Sequence, residues 1–322
     1  MPKRVVLIGY DGAEGLDLFG PAEVFCEANR RLAVHAYELV FACPRGRAMA
    51  LTCGATVEAR ALASVRTSAT DTVLVVGGAD RAVAAAAADR TLAQWLSRAA
   101  GIVQRIGSVC DGAFIIAAAG ILDGRRAATH WSSCERLSRQ RRAIRVDREA
   151  IFVRDGQVWT SAGVSTGIDM ALAMVEEDHG RRVADRVAAH LVLYARRPGF
   201  QSQFSEELTA QTSASDPLGP LVAWARANLR AQLDAAQLAR KAGMSVRSLQ
   251  RHCLQALDTT PAKLVEKLRV EQARTLLGTT RLGTKSIAAR CGFGSAPHMG
   301  RAFVRALGVT PREYRRMSGR EF

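Results

Sequence analysis

An internal repeat in the last hundred residues is the feature that most constrains this chain. The segment LARKAGMSVRSLQRHCLQALDTTPAKL begins at Leu238, and IAARCGFGSAPHMGRAFVRALGVTPREY begins at Ile287. From Ser245 onward the copies keep one register, so that Ser245 matches Ser295 and Arg251 matches Arg301. A duplicated sequence predicts a duplicated structural unit.

Each copy predicts two short helices joined by a tight turn. Gly243 and Gly292 supply the turns, and Ser245 and Ser295 cap the second helices. In the first copy Leu249, Cys253 and Leu257 face inward at helical spacing, and Met299, Phe303 and Leu307 do so in the second. This spacing is typical of a helix-turn-helix, whose second helix enters the DNA major groove.

Polar side chains on the outer side of these second helices are the candidate DNA contacts. They are Arg247, Ser248, Gln250, Arg251, Ser295, His298 and Arg301. A helical pattern over residues 261–277 separates the two copies, and a rigid strut of roughly 25 Å would hold the two reading helices about one DNA turn apart.

The charge distribution supports an acidic partner for the same region. Residues 218–322 hold 19 Lys and Arg against 6 Asp and Glu, a net charge of +13 out of +15 for the whole chain. A near-neutral N-terminal part joined to a basic C-terminal part indicates binding of nucleic acid by the latter.

Residues 218–318 resemble the paired helix-turn-helix domain of AraC/XylS-type transcription regulators. The second copy departs from that pattern at Pro297 and Gly300, where side chains with more hydrogen-bonding capacity are usual. Because Arg and Gln bond the edges of guanine and adenine, we expect the first helix to read more sequence than the second.

The first half of the chain predicts an open, mostly parallel α/β sheet of flavodoxin-like type. Uninterrupted apolar runs at 5–9, 37–42, 71–78 and 105–110 alternate with helical patterns at Pro21–Arg31, Arg81–Ala100 and Gly112–Ala119. Composition then becomes polar and rich in Pro and Gly. The predicted organisation is a sensing domain at 1–199, a linker at 200–217 and an all-α domain at 218–322.

The segment GSVCDGAF places Cys110 between a predicted strand and a predicted helix. A thiol there lies at the positive end of a helix dipole, which favours the thiolate. His130, together with either Asp17 or Glu14, completes a possible Cys/His/acid set, and Gly77 and Gly78 offer backbone N–H groups to an oxyanion.

Residues 3–195 resemble the ThiJ/PfpI superfamily, and among its members the amidase-like domain of GlxA-type regulators. The resemblance implies that Cys110 is the elbow cysteine, Asp17 the acid and His130 the histidine of that family's site. Asp111 stands where a small polar residue is usual, and its carboxylate opposes thiolate formation. No histidine is followed two residues on by Glu, which argues against glutaminase activity.

These observations predict a sequence-specific transcription regulator controlled by a metabolite in a non-catalytic, amidase-like domain. The predicted ligand site comprises Asp17, Gly78, Cys110, Asp111 and His130, and its acidic lining favours an amine or amino-acid-like effector. Two alternatives remain open: a Cys-dependent amidase or hydratase tethered to DNA, with Cys110, His130 and Asp17 catalytic, and a thiol redox sensor.

The remaining expectations concern partners and location. We expect promoter DNA, RNA polymerase and a second copy of the chain as partners, and neither a cofactor nor a metal. Seven cysteines without a CxxC pair indicate free thiols in a reducing cytoplasm. The longest apolar run is too short to span a membrane.

Overall fold

The computed structural model describes residues 2–193, 197, 199, 203, 218–257, 259–307 and 309–317. The chain divides into two compact units, Met1–Gln203 and Phe204–Phe322. Of the predicted linker at 200–217, only residue 203 lies among the described residues, so the rest of that prediction falls outside them.

A seven-stranded sheet forms the centre of the first unit. Its strands are β1 (Lys3–Ile8), β2 (Tyr37–Cys43), β5 (Arg60–Ala61), β6 (Thr72–Val75), β7 (Arg105–Val109), β10 (Phe152–Asp155) and β11 (Val158–Ser161). They lie in the order β10-β11-β7-β6-β1-β2-β5, and every neighbouring pair is parallel except the β10–β11 hairpin. Two small sheets join β3 (Met49–Ala50) to β4 (Thr56–Val57) and β8 (Arg126–Ala127) to β9 (Arg145–Val146). This architecture confirms the predicted open, mostly parallel sheet.

Seven α-helices accompany the sheet in the described part of the first unit. They are α1 (Gly15–Leu32), α2 (Asp80–Ala88), α3 (Arg90–Ala100), α4 (Gly112–Ala118), α5 (Cys134–Gln140), α6 (Thr166–His179) and α7 (Arg181–His190). The single helix predicted over Arg81–Ala100 is wrong, because Asp89 interrupts it. Its carboxylate accepts hydrogen bonds from the N–H groups of Thr91 and Leu92 and so begins a new helix.

Helix α1 begins earlier than its predicted start at Pro21. Glu14 is its N-cap residue, and Asp17 lies in its first turn.

The central strands explain the high apolar content of the sequence, since Val5, Val6, Leu7 and Ile8 are all fully buried. Strands covered on both faces need no polar alternation, which is why the strand predictions from uninterrupted apolar runs were correct.

The described part of the second unit is entirely helical. Its elements are α8 (Leu218–Ala227), α9 (Ala235–Lys241), α10 (Val246–Leu257), α11 (Pro261–Thr279), α12 (Thr284–Arg290), α13 (Ala296–Leu307) and α14 (Pro311–Met317). Leu249 and Cys253 on α10 and Met299 and Phe303 on α13 are buried, as the inward stripes predicted. Leu307 is only half-buried, and the side chain of Leu257 lies outside the described residues.

Local hydrogen bonds explain where these helices begin. Asp234 accepts from the N–H of Gln237, and Thr310 and Glu313 exchange hydrogen bonds as a capping box before α14. The turn residues Gly243 and Gly292 both have positive φ, which glycine adopts without steric penalty. The predicted strut is α11, with 19 residues and a length of about 28 Å.

Candidate functional sites

Cys110 lies at the carboxyl edge of the main sheet, between β7 and α4. Its φ is +56°, a left-handed conformation that is uncommon for a residue other than glycine. Its backbone N–H donates to the Ser161 carbonyl at 3.0 Å, which fixes the turn against β11. The sharp turn predicted from GSVCDGAF is therefore present, and its strained backbone is typical of a functional position.

Asp17 meets this turn from helix α1, and its side chain is fully buried. One carboxylate oxygen accepts from the Val164 N–H at 2.6 Å, and the other accepts from the Gly77 N–H at 3.2 Å. A Cβ on Gly77 would stand 2.7 Å from the Cys110 Cβ and 2.8 Å from an oxygen of this carboxylate, so the two side chains are neighbours. Burial raises the pKa of Asp17 to about 6, although these hydrogen bonds oppose the rise.

The loop between β11 and α6 forms a wall of the site that the sequence did not reveal. A Cβ on Gly163 would stand 2.6 Å from the Cys110 sulfur, so only glycine permits this approach. Val164 follows with a φ of +51°, which is costly for a β-branched residue. The hydrogen bond from its N–H to buried Asp17 helps to hold this conformation.

The electrostatic surroundings of Cys110 keep its thiol protonated. Burial raises the pKa of the thiol well above its usual range, and the charges of Asp17 and Asp111 raise it further. The backbone N–H of Asp111 opposes this effect without overcoming it. The expectation that the helix dipole would favour a thiolate is therefore wrong, because burial and two nearby carboxylates outweigh it.

Asp111 is buried beside the elbow, where its carboxylate is already paired. It accepts from the hydroxyls of Thr129 at 3.0 Å and Ser133 at 2.7 Å, and it forms a 3.0 Å ion pair with Arg136. Arg136 also lies over the Phe114 ring and bridges to Asp80. The predicted acidic lining is thus partly neutralised from within the protein.

The sequence did not show which groups His130, Gly77 and Gly78 contact, and the structure does. The His130 ring nitrogen Nδ1 lies 2.8 Å from the Ser132 hydroxyl, within its own segment. Thr129 connects this segment to the elbow, since its hydroxyl lies 3.1 Å from the Cys110 carbonyl. The Gly77 N–H is occupied by Asp17, and a Cβ on Gly78 would meet the Gly12 carbonyl at 2.3 Å. Close packing explains Gly78, and Gly77 is not a free oxyanion donor.

Tyr10 is a further residue of this site that the sequence analysis missed. It is nearly buried, and its hydroxyl donates to the Val76 carbonyl at 3.1 Å. Burial raises the pKa of Tyr10, and the nearby charges of Asp17, Cys110 and Asp111 add to the rise. No sequence signal marked it, because it lies in a loop after β1 and is brought to Cys110 only by folding.

Helix α10 presents its polar residues to solvent. Arg247, Gln250 and Arg251 are exposed, whereas Leu249 between them is fully buried. Ser248 is half-buried, and its hydroxyl lies 2.9 Å from that of Ser245. The Ser245 hydroxyl also accepts from the Ser248 N–H, which makes Ser245 the cap of this helix.

Helix α13 repeats this arrangement with fewer polar groups. Arg301 and His298 are exposed, and the His298 ring packs edge-on against Phe293. The Ser295 hydroxyl accepts a hydrogen bond from the His298 N–H at 3.2 Å and so caps helix α13. Pro297 is exposed and adds no hydrogen-bond donor to this face.

Comparison with known families agrees with this geometry. The model of the DJ-1/PfpI family matches residues 3–177, and a helix-turn-helix domain model matches residues 238–317. The first match covers more than half of the chain and includes Asp17, Cys110 and His130. The chain belongs to the DJ-1/PfpI family. Its C-terminal region adds the duplicated helix-turn-helix domain described above.

Curated relatives share both parts. The HTH-type transcriptional regulator GlxA of Rhizobium meliloti is 32% identical over 284 residues, which cover 88% of this chain and 86% of that protein. The HTH-type transcriptional regulator GbdR of Pseudomonas aeruginosa is 30% identical over 250 residues, 77% of this chain and 66% of that protein. The chain thus spans slightly less than two thirds of GbdR.

Solved structures agree on the fold of the first unit. A ThiJ/PfpI family protein from Pseudomonas syringae aligns with a TM-score of 0.54 at 25% identity, covering 62% of this chain and 78% of that one. Within the described residues, no cluster of His, Cys, Asp and Glu could hold a metal ion. No helix in the same part of the chain is long and apolar enough to cross a membrane.

Proposed function

We propose that this protein is a transcription regulator that binds promoter DNA and responds to a small molecule held at Cys110. The duplicated helix-turn-helix carries the proposal, since α10 and α13 both expose arginine on the side opposite a buried stripe. The net charge of +13 over residues 218–322 supplies the electrostatic attraction to phosphates. The relatives named as HTH-type transcriptional regulators support the same function.

The proposed base-reading residues are those that α10 and α13 expose. Arg247, Gln250 and Arg251 have the donors and acceptors that read guanine and adenine. Arg301 and His298 are the corresponding candidates in the second copy. Ser248 and Ser295 contribute mainly through capping contacts at the starts of α10 and α13, where the helix backbone would approach the DNA. On this arrangement the first copy specifies sequence and the second mainly positions the protein.

The Cys110 site is proposed to bind the effector without chemical turnover. A neutral thiol is a weak nucleophile, and the Nδ1 atom of His130 contacts the Ser132 hydroxyl within its own segment. An active amidase or hydratase is therefore the less supported alternative. Asp17 and the partly neutralised Asp111 still favour a polar, amine or amino-acid-like ligand.

Three further features belong to the same proposal. We expect the protein to act in the cytoplasm, to contact RNA polymerase and to function as a homodimer. Two copies of a paired reading domain would bind a longer site, and each added base contact raises specificity. These partners follow from the proposed regulatory role.

A salt series on the full chain tests DNA binding. Fluorescence anisotropy with a duplex selected from random sequence should show affinity falling steeply between about 50 and 200 mM salt, because phosphate neutralisation releases counterions. A double variant, Arg247→Ala with Arg251→Ala, should bind more weakly and give a shallower slope. Affinity that hardly changes with salt would contradict the proposal.

A further inference from the structure

Exposed apolar side chains are few in the second unit, and two of them occupy equivalent positions in its repeat. In the described part of this unit, the large apolar residues that are exposed are Val246, Leu254 and Val304. Leu254 is 59% exposed and Val304 is 43% exposed. The two copies keep one register from Ser245 and Ser295 onward, and in that register Leu254 on α10 matches Val304 on α13. The recurrence suggests that both residues serve the same purpose.

Leu254 lies on the face of α10 that carries the proposed base-reading residues. The exposed residues of this face recur at i, i+3, i+4 and i+7, which places them on one side of a helix, and they are Arg247, Gln250, Arg251 and Leu254. Leu249, which falls between them in sequence, is fully buried on the opposite side. Leu254 therefore lies one turn beyond Gln250 and Arg251, among groups that can bond bases.

Val304 has the same position on α13, where its neighbours are less polar. The residues that repeat the spacing there are Pro297, Gly300, Arg301 and Val304, and Met299 between them is fully buried. A Cβ on Gly300 would meet nothing within 4 Å, so the helix surface is bare one turn before Val304. Arg301 and Val304 are therefore the prominent side chains of this face.

The chemistry of the major groove limits what an exposed Leu or Val on such a face could contact. Thymine presents an apolar group there, its C5-methyl, whereas the other base edges present hydrogen-bond donors and acceptors. An apolar side chain set against a polar base edge would remove water from that edge without replacing the lost hydrogen bonds. The thymine methyl group is the complementary partner for an apolar residue among base-reading arginines.

We propose that Leu254 and Val304 each read thymine by packing against its C5-methyl group. The lengths of the two side chains fit their neighbours, since the longer Leu254 follows Gln250 on its face and the shorter Val304 follows Gly300, where the backbone is bare. The inference rests on the proposed function, because it adds a base-specific contact to DNA binding. It gives the second copy, which has fewer hydrogen-bonding groups, a weak base contact of its own.

Replacing thymine by deoxyuridine is the direct probe, because it removes only the C5-methyl group and keeps every hydrogen bond of the base. The full-length protein is used to select a duplex from random sequence, and each thymine of that duplex is then replaced in turn. At two thymines, one read by each copy, the replacement should raise the Kd of the wild type about fourfold, the effect of returning one methyl group to water. Fluorescence anisotropy at constant salt measures the Kd.

The variants Leu254→Ala and Val304→Ala identify which residue reads which thymine. Each variant should lose the effect of deoxyuridine at its own position and keep the effect at the other position. Both side chains are exposed, so their removal should leave the packing of the unit intact. Val246→Ala is the matched control, since Val246 is exposed on the same helix but lies about 100° around it from Arg247. It should keep both effects of deoxyuridine.

The outcomes separate this inference from the proposed function. Deoxyuridine effects as large in Leu254→Ala and Val304→Ala as in Val246→Ala would overturn the methyl contacts and leave DNA binding standing. A wild type that binds every deoxyuridine duplex as tightly as the original would overturn them too, and would point to a protein partner for this apolar pair. Loss of an effect in one variant only would confirm the contact for that residue and overturn it for the other. Absence of duplex binding by the wild-type chain would overturn the proposed function and this inference together.

Discussion

Replacing Asp17 by Asn should change how the stability of the first unit depends on pH. Asn has nearly the same shape and keeps an oxygen for the Val164 N–H, but it cannot ionise. The pKa of Asp17 lies at about 6 in the folded protein, against an ordinary value of 3.8. At about 1.4 kcal/mol per pH unit, the difference amounts to about 3 kcal/mol.

The direction is the reverse of that for an ion-paired carboxylate such as Asp178, whose pKa is lowered. The folded state holds the Asp17 proton more tightly than the unfolded state does. The resulting stability is therefore fully present where Asp17 is protonated in both the folded and the unfolded protein, below about pH 4. As pH rises to about 6 and above, the folded protein must carry a buried charge, and this stability is lost. The free energy of unfolding of Asp17→Asn, minus that of the wild type, should therefore rise by about 2–2.5 kcal/mol between roughly pH 4 and pH 7, because part of the full difference is already lost at pH 4.

Urea unfolding followed by tryptophan fluorescence measures this difference. In a Trp224→Phe background the remaining tryptophans, Trp95, Trp131 and Trp159, all belong to the first unit. Any constant effect of altered hydrogen bonds in Asp17→Asn cancels, since only the change with pH is compared. A difference that stays constant from pH 4 to pH 7, or that falls, would refute the assignment of a raised pKa to Asp17.

Two further predictions concern the stability of the first unit and base reading by the second. Asp178→Asn should lower the free energy of unfolding near neutral pH by about 3–5 kcal/mol, since it leaves Arg105 buried without its bidentate partner. The pKa of Asp178 is lowered to about 2, so the loss of stability should diminish as pH falls toward 2, which is the opposite of the pH dependence at Asp17. An unchanged urea midpoint of Asp178→Asn near neutral pH would contradict this prediction. Arg247→Ala should weaken specific DNA binding by about 1–3 kcal/mol and relax one base preference in a random-duplex selection. Gly300→Ala, which has open space for its methyl group, should leave that preference unchanged, and equal effects of the two changes would disprove asymmetric reading.

Local sequence signals were sufficient for most of the secondary structure. Asp234, Thr310 and Glu313 act within three residues of the N–H groups that they cap, so their roles could be inferred without tertiary information. Asp89 shows the same signal where it was overlooked, because the alanine-rich pattern on either side suggested one continuous helix. The capping preference of Asp would have divided it.

The candidate site was only partly predictable. The strand–helix turn identified Cys110, and the resemblance to a known superfamily added Asp17 and His130. The partners of these residues come from distant segments, such as Val164 bound to Asp17 and Arg136 bound to Asp111. No periodicity or spacing in the sequence connects such pairs, so the pairing of Asp111 with Arg136 could not be foreseen, although the sequence did show that Asp111 opposes a thiolate at Cys110.

The sequence by itself determined the parallel sheet, the duplicated helix-turn-helix and the basic second unit, because apolar periodicity, helix caps and charge are local properties of the chain. Only the tertiary structure decided the protonation of Cys110, the wall built from Gly163 and Val164, and the anchoring of Arg197 on Asp169. These depend on burial and on which distant segments meet at the carboxyl edge of the sheet. Burial and long-range pairing set the free energy of a charge, and a linear sequence specifies neither until it folds.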